Sequence, residues 1–134
     1  MTVYAVIDTN VMVSAMLSSH DDAATVQVVE KLFTGEIIPL YSTEILTEYS
    51  EVLHRDKFPF SKDDIRGMLA AIEQHGIRVD AAPSGETLPD MKDLPFYEVV
   101  LEKQDDNAYL VTGNIKHFPK KPFIVTANQM LDIL

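Results

Sequence analysis

Asp8 is the acidic residue whose position in the sequence points most directly to chemistry. It ends an unbroken apolar run, Val3 to Ile7, which predicts a central parallel strand covered on both faces. In open parallel sheets, ligands gather beyond the carboxyl ends of the strands, where Asp8 would lie. The alternative is that Asp8 only caps the next helix, for which Thr9 or Asn10 is the expected cap. A charge at the end of a buried strand favours a functional role.

Glu48 is a second candidate, and its role depends on one face of a helix. A helix is expected from Ser42 or Thr43 onward. Its apolar residues form one stripe at helical spacing: Ile45, Leu46, Tyr49, Val52 and Leu53. Of the three acids Glu44, Glu48 and Glu51, the middle one lies closest to the edge of that stripe. It can therefore reach inward, although the pattern alone favours a solvated helix acid.

Asp93 and Asp90 are candidates in the segment before another helix. The segment 80–92 holds two prolines and a glycine, which predicts a loop, and a helix is expected from about Asp93 to Lys103. Asp93 projects onto the apolar side of that helix, so it is either a ligand or the helix N-cap, and the pattern leaves both open. For Asp90, an ordinary turn residue is favoured over a second ligand.

Carboxylates gathered at one edge of a sheet would repel one another unless a cation neutralised them. Mg²⁺ or Mn²⁺ suits such an all-oxygen site and usually keeps several waters. One of these waters can attack a phosphodiester while the metal stabilises the charged transition state. We therefore expect the carboxylate ends of Asp8, Glu48 and Asp93 to lie within reach of one metal ion. Asn114 follows the expected strand 108–112 and would lie at the same edge.

Other polar residues are predicted to lie outside the site. Asp105 and Asp106 precede their strand, which places them at the opposite end of the sheet. Cysteine is absent, so thiolate zinc sites are excluded. The four histidines show no ligand spacing and are expected to be surface or structural residues: His20, His54, His75 and His117.

Length and composition favour one globular domain. The chain has 134 residues, and its 46% hydrophobic and 24% charged residues are typical of a folded protein rather than a disordered one. No apolar run approaches the roughly 20 residues of a membrane-spanning helix, and a cytoplasmic location is expected. Strand and helix patterns alternate throughout, which predicts a single α/β domain over residues 1–134. The net charge of −10 argues against a broad basic surface for nucleic acid.

Taken in order, several segments resemble the motifs of PIN domains. The first is Val6 to Val11, which contains Asp8-Thr9-Asn10, and the second is Ser42 to Tyr49. The third is Asp90 to Asp93, and the fourth is Tyr109 to Asn114. The end of the chain, Ile124 to Thr126, is similar to the last strand of the VapC-like toxins of toxin–antitoxin pairs.

The resemblance implies a three-layer α/β/α sandwich around a mostly parallel sheet. It implies Mg²⁺- or Mn²⁺-dependent cleavage of single-stranded RNA, with metal binding at Asp8, Glu48 and Asp93. It also implies a homodimer or higher oligomer and, in toxin relatives, a small antitoxin partner. One residue departs from the pattern, because Asn114 stands where these domains usually carry Asp. Asn114 contributes no negative charge, and Asp90 is the residue that could compensate as a ligand.

Other functions remain as alternatives. Asn114 and the acidic surface are compatible with a catalytically silent module that binds RNA or protein. Lys116 and His117 could touch RNA phosphate, although a solvated loop is the favoured interpretation. A phosphorylation receiver would need adjacent acids after the first strand, and a dehalogenase-type phosphatase would need Asp at position 10, where the chain has Asn. Nucleotide-binding folds are disfavoured, because the chain has only 5 glycines and no phosphate-binding loop.

Overall fold

A computed structural model describes residues 2–134 and contains a five-stranded sheet surrounded by helices. The strands are β1 (Val3–Ile7), β2 (Ile37–Tyr41), β3 (Ile77–Arg78), β4 (Tyr109–Val111) and β5 (Ile124–Val125). The helices are α1 (Thr9–Leu17), α2 (Ala24–Thr34), α3 (Thr43–Leu53), α4 (Lys62–His75), α5 (Leu94–Glu102) and α6 (Ala127–Ile133). Three single 3₁₀ turns cover Met91–Asp93, Gln104–Asp106 and Ile115–His117.

The sheet is entirely parallel, with the order β3-β2-β1-β4-β5. Strand β1 lies at its centre and is buried at every position except Tyr4, which is half-buried. Helix α5 packs against β1, β2 and β4, while α2 packs against β2 and contacts α1, α4 and α6. The predicted α/β/α sandwich around a parallel sheet is therefore confirmed.

Pro39 lies within strand β2, and a proline inside a strand is expected from the sequence to mark an edge strand or an early strand end. This expectation is wrong. Strand β2 lies between β3 and β1, and Pro39 is paired in register with Ala5 of β1. The position is tolerated because β3 pairs only with Leu40 and Tyr41, so Pro39 meets no ladder partner on that side.

The predicted start of α3 at Ser42 or Thr43 is confirmed, and local residues fix this and two other helix ends. The Ser42 hydroxyl accepts a hydrogen bond from the Ile45 amide at the start of α3, and the Ser61 hydroxyl accepts one from the Asp64 amide at the start of α4. Gly35 ends α2 with a φ of 85°, in the left-handed region. None of the helices within residues 2–134 is long and apolar enough to span a membrane.

Candidate functional site

A cleft of about 780 Å³ lies beyond the carboxyl ends of β1 and β4. All five side chains predicted from the sequence line it: Asp8, Glu48, Asp90, Asp93 and Asn114. Asp105 and Asp106 do not line it; they lie on the exposed turn before β4, as predicted. The sheet thus brings together residues that are far apart in the sequence.

Asp8 occupies the cap position of α1, but its side chain makes no capping hydrogen bond. Its Oδ2 instead accepts hydrogen bonds from Thr112 Oγ1 at 2.7 Å and from Asn10 Nδ2 at 3.3 Å. The residue is only 5% exposed. The capping alternative for Asp8 is therefore wrong, and so is the expectation that Thr9 or Asn10 caps this helix.

The surroundings of Asp8 disfavour its negative charge. Burial raises the pKa of Asp8 to about 6; the Thr112 hydrogen bond opposes this rise, and the charges of Asp93 and Glu48 add to it. Among residues 2–134, no lysine, arginine or histidine forms an ion pair with Asp8. A cation bound beside Asp8 would supply the compensation that the protein's own side chains do not.

Thr112 holds the loop after β4 in place around Asp8. Its fully buried hydroxyl donates to Asp8 and accepts a hydrogen bond from the Asn114 amide at 2.9 Å. Beside it, the Gly113 amide donates to Asn10 Oδ1 at 3.1 Å. Thr112 was not among the site residues predicted from the sequence. A hydroxyl directly after a buried strand was the signal that could have found it, because such a group needs a polar partner.

Glu48 reaches the cleft from α3, as its place beside the apolar stripe predicted. It is half-buried, whereas Glu44 and Glu51 are exposed. Its Oε2 lies 3.4 Å from the hydroxyl of Thr9, a long hydrogen bond. The neighbouring residue fixes this placement, because the buried hydroxyl of Tyr49 donates to the carbonyl of Ile7 and so ties α3 to the end of β1. Burial raises the pKa of Tyr49 well above its usual range, so the hydroxyl stays protonated as this bond requires.

Asp93 and Asp90 have different roles in the segment before α5. The Asp90 side chain accepts a hydrogen bond from the Lys92 amide at 3.0 Å, which supports the turn interpretation for this residue. Asp93 precedes α5 without capping it, and its Oδ2 lies 3.2 Å from Nδ1 of His117. Burial and the charge of Asp90 raise the pKa of Asp93, and His117 opposes that rise. The side chain of His117 is 44% exposed, as expected for a surface histidine, and it also lines the cleft.

The three carboxylates share a cleft without forming a closed ligand set. Within residues 2–134, no three Asp, Glu or His side chains are grouped closely enough to hold a metal ion. The expectation that their ends lie within reach of one metal is thus not met by these side-chain positions. Each carboxylate instead forms a hydrogen bond with a neighbouring side chain. Asp8 pairs with Thr112, Glu48 with Thr9, and Asp93 with His117. The donor atoms are still carboxylate oxygens, which fit a hard divalent cation.

The rim of the cleft carries positive and apolar side chains that were not among the predicted site residues. Arg55 and Lys92 line it, together with the half-buried ring of Phe58. The signal for Arg55 and Phe58 was their position immediately after the helix that carries Glu48. The cleft therefore combines an acidic floor with a rim able to attract an anion.

Comparison with known proteins agrees with this arrangement. No curated protein matches the chain. The family profile described as PIN domain matches residues 4–116, which include all five predicted site residues. PIN domains are generally nucleases. The chain belongs to the PIN-domain family.

Proposed function

We propose that the protein is an endoribonuclease that hydrolyses single-stranded RNA with the help of Mg²⁺ or Mn²⁺. The observation that carries the proposal is Asp8, a buried carboxylate at the end of the central strand with no cation partner among residues 2–134. Its pKa is raised first by burial and then by the charges of Asp93 and Glu48, in the same cleft. A purely structural carboxylate would be expected to have a cap or an ion pair, and Asp8 has neither.

Asp8, Glu48 and Asp93 are the residues that would hold the cation. The chemistry that such an ion supplies is positive charge to meet the phosphodiester and acidification of water at neutral pH. Asp8 provides a carboxylate oxygen in a residue that is only 5% exposed. Thr112 and Asn10 orient that oxygen through their hydrogen bonds, which is the supporting role that outer residues play at metal sites.

The remaining cleft residues fit the approach of a polyanion. Arg55 and Lys92 at the rim can contact phosphates on either side of the cleaved bond, because positive side chains along a groove can follow the backbone of a single strand. His117 lies beside Asp93 and orients its carboxylate. Asn114 presents an amide at the same edge, able to orient water but unable to add negative charge.

The test is cleavage of a pool of mixed single-stranded RNA with and without Mn²⁺. Asp8→Asn is expected to lower the rate by about 100-fold or more, because loss of an outer-shell partner alone costs about 10–100-fold. Asp106→Asn is the matched control, since it also removes one acid but lies outside the cleft. Equal rates for the two variants would overturn the site assignment. A single-stranded DNA pool of the same sequences tests whether RNA is the preferred substrate.

A second candidate is a PIN-like module that binds RNA or protein without cleaving it. Two observations favour it: the neutral side chain of Asn114, and the open spacing of the carboxylates. Asn114→Asp separates the two functions in the same assay. Cleavage by the wild type supports the enzyme, whereas cleavage gained only in Asn114→Asp supports a binding module on an intact scaffold.

We propose further that the protein acts as a toxin, because its terminal segment, residues 124–126, resembles the toxin branch of the family. A small antitoxin partner and a homodimer belong to the same proposal. The toxin role is tested by expressing the protein in bacterial cells and measuring their growth. Growth arrest by the wild type that Asp8→Asn relieves would support a toxin, and unaffected growth under wild-type expression would count against it.

A further inference from the structure

The connection between α3 and α4 places cationic and aromatic side chains at the edge of the cleft. Arg55 and Phe58 line the same cleft as Asp8 and Glu48. Their relative position is fixed by backbone hydrogen bonds, because the Phe58 amide donates to the Arg55 carbonyl at 3.0 Å and the Arg55 amide donates to the Val52 carbonyl at 3.1 Å. Both residues are thus held near the end of the helix that carries Glu48.

Phe58 presents a supported aromatic ring. Phe60 stacks on it with a centroid distance of 5.4 Å and an interplanar angle of 22°. The Lys57 ammonium lies 5.2 Å from the centroid of the Phe58 ring. A nucleic-acid base stacks on an aromatic ring more strongly than an exposed ammonium binds to it, so a base can displace Lys57 from the ring. The displaced ammonium stays close enough to meet a phosphate.

The negative charge of the rest of the molecule favours RNA binding at the edge of the cleft that carries Arg55. The chain carries 21 acidic and 11 basic residues, so a polyanion is repelled from most of the surface. Arg55 is exposed and forms no ion pair with another of the described residues. Its guanidinium is therefore available to a phosphate at the mouth of the cleft.

We infer that Arg55 and Phe58 form a nucleotide-binding subsite for single-stranded RNA beside the acidic floor. Phe58 stacks with the base of a nucleotide next to the cleaved bond, and Arg55 pairs with the phosphate of that nucleotide. The subsite selects single strands, because the bases of a duplex are already stacked and paired. The identity of the substrate rests on the proposed function above.

The absence of tryptophan from the sequence allows a direct test. Phe58→Trp introduces the only tryptophan of the chain at the proposed stacking position, where it can be excited selectively, in an Asp8→Asn background with Mn²⁺ so that the RNA stays intact. Phe123→Trp is the matched control, a half-buried phenylalanine just before β5 and outside the cleft. A mixed-sequence single-stranded octamer of RNA should quench the emission of Trp at position 58 and leave that of the control unchanged. The duplex of the same sequence should quench neither.

Two further variants separate stacking from charge. Phe58→Leu should weaken binding of the octamer about 10-fold, whereas Phe58→Trp should retain it, because only the aromatic variant can stack. Arg55→Gln should reduce the slope of log affinity against log salt by about 0.7, the value for one phosphate contact on a single strand. Arg66→Gln is the control, because Arg66 is an exposed arginine on α4 outside the cleft.

The outcomes distinguish the subsite from the nuclease proposal. The anisotropy of labelled RNA reports binding independently of the tryptophan. If it shows saturable binding while the emission at position 58 stays constant, the subsite is overturned, even if the wild type cleaves RNA. The same conclusion would follow if Phe58→Leu and Arg55→Gln bound like the wild type. Quenching at position 58 together with a wild type inactive in Mn²⁺ would support the subsite and overturn the nuclease. If Phe58→Trp fails to fold by circular dichroism, the Arg55→Gln salt slope decides.

Discussion

The two ends of the sheet both carry acidic residues, but they place them in opposite environments. At the carboxyl end, Asp8 is 5% exposed and receives two side-chain hydrogen bonds. At the amino end, Asp105 and Asp106 lie exposed on the 3₁₀ turn before β4. Their carboxylates accept no hydrogen bond from the other described residues. The adjacent pair Asp105 and Asp106 is thus exposed, whereas the single acid at the carboxyl end is buried.

Burial and hydrogen-bonding partners, rather than the number of acids, set the two ends apart. A carboxylate surrounded by water is stable as an anion by itself, whereas Asp8 is ionised at a cost that the folded chain must offset. The protein offsets part of that cost with Thr112 and Asn10 and adds to it with Asp93 and Glu48. A site that keeps such a charge without a cationic partner is suited to bind a cation.

The largest effect is expected from removing the charge of Asp8 in the absence of metal. Burial raises its pKa from 3.8 to about 6, so in the window from about pH 4 to pH 6 the unfolded state loses the proton first and stability falls as pH rises. Asp8→Asn removes this loss. It should raise the free energy of unfolding at pH 7 by up to about 3 kcal/mol, from about 1.4 kcal/mol for each pKa unit, and by little at pH 4.

Urea denaturation with EDTA at the two pH values measures this difference. Asp106→Asn serves as the control from the other end of the sheet and should change little at either pH, because surface substitutions have small effects. In saturating Mn²⁺ the advantage of Asp8→Asn should shrink, since only the wild type gains stability from the ion. An Asp8→Asn protein no more stable than the wild type at pH 7 would contradict the charge cost assigned to Asp8.

A smaller effect is expected from removing the hydrogen bond that Thr112 donates to Asp8 than from removing the charge of Asp8 itself. Thr112→Val keeps the shape of the side chain but removes the hydroxyl that donates to Asp8 and accepts from the Asn114 amide. Leaving the buried Asp8 carboxylate without this donor should cost about 2 kcal/mol in the free energy of unfolding. The pKa of Asp8 should also rise further, because the Thr112 bond is what opposes the effect of burial.

Thr112→Ser keeps the hydroxyl and should restore both the stability and the pKa of Asp8. A Thr112→Val protein that unfolds at the same urea concentration as the wild type would show that the 2.7 Å contact with Asp8 carries no net stabilisation. A loss in Thr112→Ser as large as that in Thr112→Val would show that the methyl contacts of Thr112, which only the serine variant lacks, contribute as much stability as its hydroxyl.

Much of the fold was predictable from sequence because its signals are local. The apolar run Val3–Ile7 predicted the central strand, and Ser42 or Thr43 predicted the start of α3. Pro39 misled the prediction, because its tolerance inside the sheet depends on how short β3 is. That property belongs to a segment about forty residues away in the sequence, and no local pattern around Pro39 reports it.

The candidate site was predictable as a set of residues but not as a set of contacts. Strand-end position identified Asp8 and Asn114, and the helix face identified Glu48. The pairing of Asp93 with His117 could not be predicted, since it joins the turn before α5 to the loop after β4. The 3₁₀ turns at both places set that distance, and neither has a hydrophobic period that sequence reasoning can detect.

The smallest effect is expected at this pair, where both partners lie nearer to solvent than Asp8. Burial raises the pKa of Asp93, and its hydrogen bond and charge interaction with His117 oppose the rise. His117→Ala should therefore raise the pKa of Asp93 further. A carboxyl whose pKa is raised in the folded state stabilises that state when protonated, so stability falls as pH rises. In His117→Ala this fall in stability should extend to a higher pH than in the wild type. Titration of the Asp93 carboxyl carbon by NMR measures the shift directly. Substituting the exposed His20 outside the cleft, in His20→Ala, should leave the pKa of Asp93 unchanged.

If Asp93 titrates identically in His117→Ala and the wild type, the 3.2 Å contact does not persist in solution. In that case Asp93 is free to turn toward Asp8 and Glu48, and the open spacing of the three carboxylates would follow from the rotamer of Asp93 rather than from the fold.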